Sequence, residues 1–405
     1  MVDVAVIGGG PSGLLTAILA SKNKNVIILE KQSKVGKKIL VTGNGRCNLT
    51  NIDLSIKYYN SNNMELVLKY LTKLNFIDTI KLFKELGLLT RVENGNVYPY
   101  SNQATSVLDI LRINLKKNNV EEICDFETIN IKKFDSYYKI ISKDKKEIDA
   151  KKVVISTGGK SYFPFDKDSS GYELLKMLGH NITNLYPSLT GIYSDNKNLK
   201  NLKGIRVKSK ATLLIADKKV KSEIGEVLFN EKGLSGICIF NLSQMITTNL
   251  DKNIEVSLDI VNDYSKEEMF NLIKEKASKN ITIEELLIGI INKNIALALL
   301  KELNYKNLNS NELSDNDIEL IINKMKDWKF KIIGIKNFNE AQVTSGGVSL
   351  EEFDDNLESK ISKGIYAAGE VLDVDGICGG YNLQWAWTSA YIVGKSIEND
   401  KSNWY

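Results

Sequence analysis

Val2–Glu30 reads VDVAVIGGGPSGLLTAILASKNKNVIILE, and the reading of this stretch decides the fold. Val2 to Ile7 is a short apolar run with no polar alternation, the pattern of a parallel strand buried on both faces. Residues 11–22 follow with helical spacing, which puts Leu14, Leu15, Ile18 and Leu19 on one side. A second buried strand, Val26 to Leu29, ends at Glu30. Gly8, Gly10 and Gly13 therefore stand as G-x-G-x-x-G between strand and helix. In that setting Gly8 allows the tight turn, Gly10 lets a pyrophosphate approach the backbone, and Gly13 lets the helix pack close to the strand. The diphosphate then meets unpaired N–H groups at the positive end of a helix that begins Pro11-Ser12. Glu30, about 20 residues on, stands where a carboxylate accepts from ribose hydroxyls. A bare glycine pattern is a weak signal, but strand, loop, helix, strand and acid in order predict a dinucleotide-binding βαβ unit.

The next segment bears on which dinucleotide. A nicotinamide dehydrogenase continues into further βα units, whereas here KVGKKILVTGNGRCNLTN follows at 34–51. Gly43, Gly45 and Arg46 supply backbone and a planar cation suited to an anionic or flat cofactor. Arg is scarce, occurring only at Arg46, Arg91, Arg112 and Arg206, so its use in a glycine-rich loop favours a bidentate task over a plain surface turn. Lys152 to Ser156 is another buried strand and ends in Thr157-Gly158-Gly159. Far downstream, Gly364 to Ala368 reads as a strand ending in Gly369-Glu370, where a carboxylate can hold ribityl hydroxyls. Gly379-Gly380-Tyr381-Asn382 then opens a helix running to about Ser396, whose N-terminus would stabilise negative charge on a flavin pyrimidine. The cofactor domain is thus built from both ends of the chain around an insertion, the layout of FAD proteins resembling glutathione reductase.

Taken together, GGGPSGL, GKKILVTGNGRCNLTN, NVYPYSNQATSVLDIL, VVISTGGKSYF, LGHNITNLYPSLTGI, GEVLFNEKGLSGICIFNLS, EAQVTSGGV and GIYAAGEVLDVDGICGGYNLQWAW span nearly the whole chain. They resemble the FAD-dependent family that includes aminoacetone oxidase and a bile-acid enone reductase. The resemblance implies an α/β, Rossmann-like FAD-binding domain of glutathione-reductase type with an inserted β-barrel-like domain and a small helical domain. It also implies a backbone contact from Ile129 to the adenine. The candidate cofactor-binding set is Gly8, Gly10, Pro11, Ser12, Gly13, Glu30, Lys31, Lys38, Thr42, Gly43, Gly45, Arg46, Cys47, Asn48, Ile129, Thr157, Gly158, Gly159, Gly369, Glu370, Asp373, Gly380, Tyr381 and Asn382. Asn230-Glu231 departs from the family, where a Thr-His-like pair is expected.

Expected boundaries are 1–186 for the first part of the FAD domain, 187–262 for the barrel-like insertion and 263–328 for the helical part. A return strand at 329–345 and the second part of the FAD domain at 346–405 complete the division. The 54 Lys and Arg nearly balance 50 Asp and Glu and are scattered, so no nucleic-acid partner is expected. Cys47, Cys124, Cys238 and Cys378 form no C-x-x-C pair, which signals neither zinc nor a dithiol, and no metal site is expected. Low Cys usage, an opening that starts directly on a strand, and no apolar run of membrane-spanning length suit a soluble cytoplasmic protein.

No side chain carries a catalytic assignment. His180, the sole histidine, follows a helix and Gly179, which suits contact with the last carbonyls better than general-base work. Cys47 lacks a partner thiol, so packing is favoured over redox chemistry. Asp373 and Asp375 suit either ribityl hydroxyls or turn caps, with Asp373 leaning to cofactor contact; Tyr162 is open, and Trp385 and Trp387, two positions apart, cannot share a helix side. FAD supplies the hydride or electron chemistry. Without a second G-x-G-x-x-G unit, either NAD(P)H docks transiently as electron donor or a substrate reduces the flavin and oxygen reoxidises it. The primary expectation is an oxidoreductase acting on a small organic substrate. The alternatives are a flavin-bearing, RNA-associated or binding protein with little turnover, and a plain NAD-dependent dehydrogenase, which the GE…GGYN return disfavours.

Overall fold

The computed structural model describes residues 1–161, 170–279, 281–305 and 309–401, so Tyr162 lies outside the described residues. The chain forms two compact units, one of residues 1–187 and 342–405 and the other of residues 188–341. Gln342–Ser345, assigned to the insertion by the sequence reading, therefore belongs to the first unit, where the Thr344 hydroxyl accepts from the Lys160 amide at 2.8 Å.

In the first unit Val2–Ile7 is the central strand, parallel to Val26–Leu29 on one side and to Glu147–Ile155 on the other. Glu121–Ile123 extends the sheet beyond Val26–Leu29, and Ile365–Ala367 adds in parallel to the end of Glu147–Ile155. The antiparallel strands Tyr138–Ser142 and Thr128–Lys133 form the far edge. Val4, Ala5, Val6, Ile27 and Ile28 are buried, as strands covered by helices on both faces require. The helices Pro11–Ala20 and Tyr381–Asn399 pack directly on one another. Gly394 makes the approach possible, since a Cβ there would lie 2.7 Å from that of Leu19.

The second unit is a closed barrel of six strands: Ile192–Ser194, Gly233–Ser235, Lys218–Asn230, Arg206–Ile215, Ile254–Asp259 and Trp328–Ile335. Its long hairpin turns at Ala216 and Asp217, both left-handed (φ 48° and 62°), so Asp217 is present but the glycine that usually follows it is not. Helices Lys266–Ala277, Ile283–Ile288 and Asp315–Lys326 each start on a reciprocal cap, Ser265 with Glu268, Thr282 with Glu285 and Ser314 with Asp317. Their buried Met269, Leu286 and Ile321 share one apolar core with barrel residues Val256, Phe229 and Trp328.

His180 shows how the first unit closes around residues 352–362. The Ser359 hydroxyl accepts from the amides of Ile361 (3.1 Å) and Ser362 (2.8 Å), which uses both its lone pairs. Its proton must then go to His180 Nε2, 2.9 Å away, so the imidazole carries its own proton on Nδ1 and donates it to Glu352 at 2.7 Å. The ring also stacks on Phe353. The single histidine is a satisfied structural group, and burial holds its pKa below the ordinary value despite Glu352. Because the folded pKa is lowered, the contribution of His180 is fully present above about pH 6.5 and is lost as pH falls through the folded value. Urea midpoints at pH 7.5 and 5.0 should show this loss. His180→Phe should cost about 1–3 kcal/mol at pH 7.5 by leaving two partners unmet, and should flatten the pH dependence. An unchanged slope in the variant would contradict the assignment.

Candidate cofactor site

The loop between the first strand and helix is shaped by contacts that admit no side chain. A Cβ on Gly13 would lie 1.9 Å from the Gly8 carbonyl oxygen, and one on Gly8 would lie 2.5 Å from that of Ser156. Gly10 differs: a Cβ there would meet no atom within 4 Å. Gly10 is also the helix N-cap, no side chain caps it, and Pro11 occupies the first turn. The result is a helix N-terminus with uncapped N–H groups facing an open space, the cradle a diphosphate requires. Glu30 closes one side, accepting from Gly9 N at 2.7 Å and from Gln32 N at 2.8 Å. Lys31 follows, half-buried. Ile129 is skipped by its strand ladder at the irregularity between Thr128 and Asn130.

Residues 42–48 form a contorted loop in which Gly43, Asn44, Gly45 and Cys47 all have positive φ. The Cys47 amide donates to Thr42 O at 3.0 Å, while the Thr42 hydroxyl turns back to Ile39 O. Arg46, expected to face the cofactor, is directed to the hairpin Thr90–Glu93/Asn96–Pro99 instead. It pairs with Glu93, donates to Asn102 at 2.8 Å and lies 3.9 Å over the Tyr98 ring. Cys47 is fully buried and its thiol is pushed up to about 12, so it packs the loop and is no thiolate at neutral pH. Asn48 donates to Asn96 Oδ1 at 2.7 Å, while its own carbonyl oxygen, sealed from water, has no partner.

From the other end of the chain, Glu370 gathers three partners. Its Oε1 accepts from Thr344 N (2.8 Å) and the Ser161 hydroxyl (3.2 Å), and its Oε2 pairs with Lys38 at 3.0 Å. Gly159 packs against this carboxylate, and Gly369 packs over Ser12 of the first helix. Thr157 Oγ1 is a second sealed oxygen without a partner. The last helix starts at Tyr381 with Gly380 as N-cap and no side-chain cap. Asn382 clamps the loop ahead of it, accepting from Gly376 N and donating to Gly376 O. The Tyr381 ring packs on Tyr58 and Tyr59, and Asp373, buried with a raised pKa, accepts from Asn62 N. The side chains of Tyr381, Asn382 and Asp373 are thus engaged by protein. Trp385 and Trp387 are core residues, whose indoles donate to Gly369 O and Leu49 O.

The structure therefore brings together the Gly8–Gly13 loop, Glu30, Lys38, Gly159 and the Gly369–Glu370 turn, and it withholds the Arg46 side chain. Sequence reasoning missed Thr344, Ser161 and Asn96, although Thr344 stands inside the quoted EAQVTSGGV. The residues fit FAD: an open cradle at Gly10 lies beside the uncapped N-terminus of the first helix.

Comparison with known proteins agrees. The profile of the HI0933-like protein Rossmann domain matches residues 2–396, and the chain belongs to that family. It is 34% identical to a 3-dehydro-bile acid delta(4,6)-reductase of Clostridium scindens over 97% of this chain and 98% of that one. It is 26% identical to a ribosomal RNA dihydrouridine synthase of Escherichia coli over 99% of each. Among solved structures, a 3-ketosteroid-delta4-(5alpha)-dehydrogenase from Rhodococcus jostii RHA1 superposes with a TM-score of 0.49 at 13% identity, covering 98% of this chain and 97% of that one. The chain is an FAD-dependent oxidoreductase. Among the described residues no helix is long and apolar enough to cross a membrane, and no group of three or more His, Cys, Asp or Glu is placed to hold a metal.

The two glycines should separate under mutation. Gly10→Val should keep the melting temperature of the apoprotein while weakening FAD binding by at least about tenfold, because it fills the cradle alone. Gly13→Ala should destabilise the apoprotein itself. Equal effects of both variants on melting and on flavin titration would refute the division of labour.

Proposed function

We propose that this chain is an NAD(P)H-fed flavin reductase that saturates a carbon–carbon double bond conjugated to a carbonyl in a small organic substrate. The observation that carries the reading is full-length similarity, at 34% identity, to a protein named for reducing the delta(4,6) bonds of a 3-dehydro bile acid. The more distant relative named for making dihydrouridine supports the same chemistry, because the uracil 5,6 double bond is also conjugated to a carbonyl. In both reactions a hydride adds to the carbon β to the carbonyl and a proton to the α carbon.

Bound FAD supplies the hydride. The cofactor-binding role belongs to Gly8, Gly10, Ser12, Gly13, Glu30, Lys38, Asn48, Thr157, Gly158, Gly159 and the Gly369–Glu370 turn. The backbone of Gly43, Gly45, Gly380 and Tyr381 lines the same site. The uncapped N–H groups of the Tyr381–Asn399 helix oppose negative charge at the flavin pyrimidine. Lys38 holds Glu370 in place across the cofactor loop. The 188–341 unit is a barrel with helices, not a second dinucleotide-binding sheet, so the nicotinamide and the substrate take turns at one flavin.

A second reading, reduction of uridine in RNA, draws on the 26% relative and on Arg206, Lys208 and Lys210, which stand exposed on alternate positions of one barrel strand. Glu226 and Asp263 offset the first two, which favours the small-molecule reading.

Anaerobic mixing of the holoprotein with NADH or NADPH should bleach the flavin, and a cyclic conjugated enone should restore its colour without oxygen. Steady-state rates should give the parallel double-reciprocal lines of a ping-pong enzyme. Failure of both nicotinamides to bleach the flavin would sink the reductase reading. Reoxidation by uridine-containing RNA but not by enones would transfer the assignment to RNA.

A further inference from the structure

We infer that a cleft beside the end of the last helix is a binding site for a small phosphate-bearing molecule, separate from the cofactor cradle and independent of the flavin reading. The cleft has a volume of about 590 Å³, within the range of small-ligand pockets. One wall is the helix Tyr381–Asn399, which presents Tyr391, Lys395 and Asn399 one turn apart. Lys395 stands about four turns past the helix start, roughly 21 Å along the axis, so the cleft and the cofactor end of the helix are distinct places. The strands Glu147–Ile155 and Ile365–Ala367 contribute Lys152 and Tyr366, and the loop between Asp354 and Gly364 contributes Glu358 and Lys363.

Charge in the cleft is unbalanced. Lys73, Lys152, Lys363 and Lys395 line it against two carboxylates, Glu358 and Asp400. Both carboxylates are already engaged by the protein. Glu358 accepts from Gly364 N at 2.7 Å and from the Tyr366 hydroxyl at 3.0 Å. Asp400 pairs with Lys152, and its main-chain oxygen takes Lys24 at 2.6 Å. Lys395 has Glu398, whereas Lys73 donates to the neutral main-chain oxygen of Asp355, whose carboxylate pairs with Lys69. Lys152 is the buried member, 7% exposed. Its pKa is held down by burial and by the like charges of Lys24 and Lys363, against the pull of Glu358. A bound anion would relieve that crowding.

The chemistry of these cations points to phosphate. Lysine ammonium groups are compact and carry three donors each, and four of them from four segments suit a rounded polyanion. A planar carboxylate is better matched by the arginine fork, and among the described residues no arginine lines the cleft. The cleft has room for more than a phosphate group, and Tyr391 and the buried Ile392 give a carbon body something to pack against. A concave site suits a small molecule, whereas a nucleic-acid strand spreads its phosphates along a basic stripe.

The test is calorimetric titration of the FAD-loaded holoprotein, whose own diphosphate cradle is filled. The probes are inorganic phosphate, inorganic diphosphate, glucose 6-phosphate, succinate and a short RNA oligonucleotide. At least one of the three small phosphates should bind with a Kd below about 1 mM. The double variant Lys73→Gln with Lys395→Gln should weaken that binding at least about tenfold and leave the flavin spectrum unchanged. Gly10→Val, with its cradle blocked, should give the wild-type Kd, which separates this site from the cofactor reading. Tightest binding of glucose 6-phosphate assigns an organic phosphate and tightest binding of an inorganic ion assigns that ion; either supports the site. No heat from any small phosphate up to about 10 mM, equal binding of succinate, or an unchanged Kd in the double variant overturns it. Binding confined to the RNA overturns it as well and gives the lysines to a nucleic-acid surface. The wild-type titrations decide the question even where the variant does not fold.

Discussion

The contact on which the first unit depends is the approach of Gly13 to the carbonyl of Gly8, where a Cβ would come within 1.9 Å of the oxygen. It brings the first helix onto the end of the central strand, so that the helix starts almost where the strand stops. Two consequences follow from the one contact. The helix N-terminus is left with donors that no side chain serves, and Gly10 is held over empty space beside them. Glu30 fixes the arrangement by taking the Gly9 amide, which ties the loop to the end of the second strand. A side chain at Gly13 would disturb the helix, the sheet and the cradle together.

The far end of the chain is locked to this loop by polar bonds inside an apolar core. Gln384, wholly buried, accepts from Thr50 and Thr79 and donates to Leu74 O and Thr388, so every site on its amide is used. Ser389 receives the Gly369 amide, and the two buried indoles donate to Gly369 O and Leu49 O. Leaving any one of these groups unmet would cost about 1–3 kcal/mol, so the last helix has one rotation and one register in which it can pack. That is how residues some 330 positions apart, Lys38 and Glu370, come to share a hydrogen bond.

The cofactor domain was legible in the sequence because its signals are backbone signals. Glycines at the ends of apolar runs state where a chain turns and where it must approach another chain, whatever the side chains do. The barrel was legible as short alternating strands, but its long hairpin turns on Ala216-Asp217, where Asp217 alone is a turn former and no glycine follows it. What could not be read were side-chain directions. Arg46 was given to the cofactor because scarce arginine in a glycine loop invites it, yet Glu93, Asn102 and Tyr98 lie on a hairpin that only the fold places nearby. Cys47 and Trp387 were ambiguous for the same reason, since burial depends on neighbours distant in sequence. Asn96 was invisible: an Asn after an N-G turn is ordinary, and its task is to hold another Asn.

The difference between satisfied and unsatisfied burial separates scaffold from site. Around His180 and around Gln384 each polar atom has a partner within the protein, and these clusters need nothing from outside. Asn48 and Thr157 carry buried oxygens without one. Thr157, Thr128, Thr190 and Ser209 are single hydroxyls with one rotatable proton apiece, Asp149 Oδ1 is one oxygen of a carboxylate, and Arg91 Nε lies 3.0 Å from Glu93. A carbonyl fixed by its own amide is a different case, for it has no rotation with which to find relief.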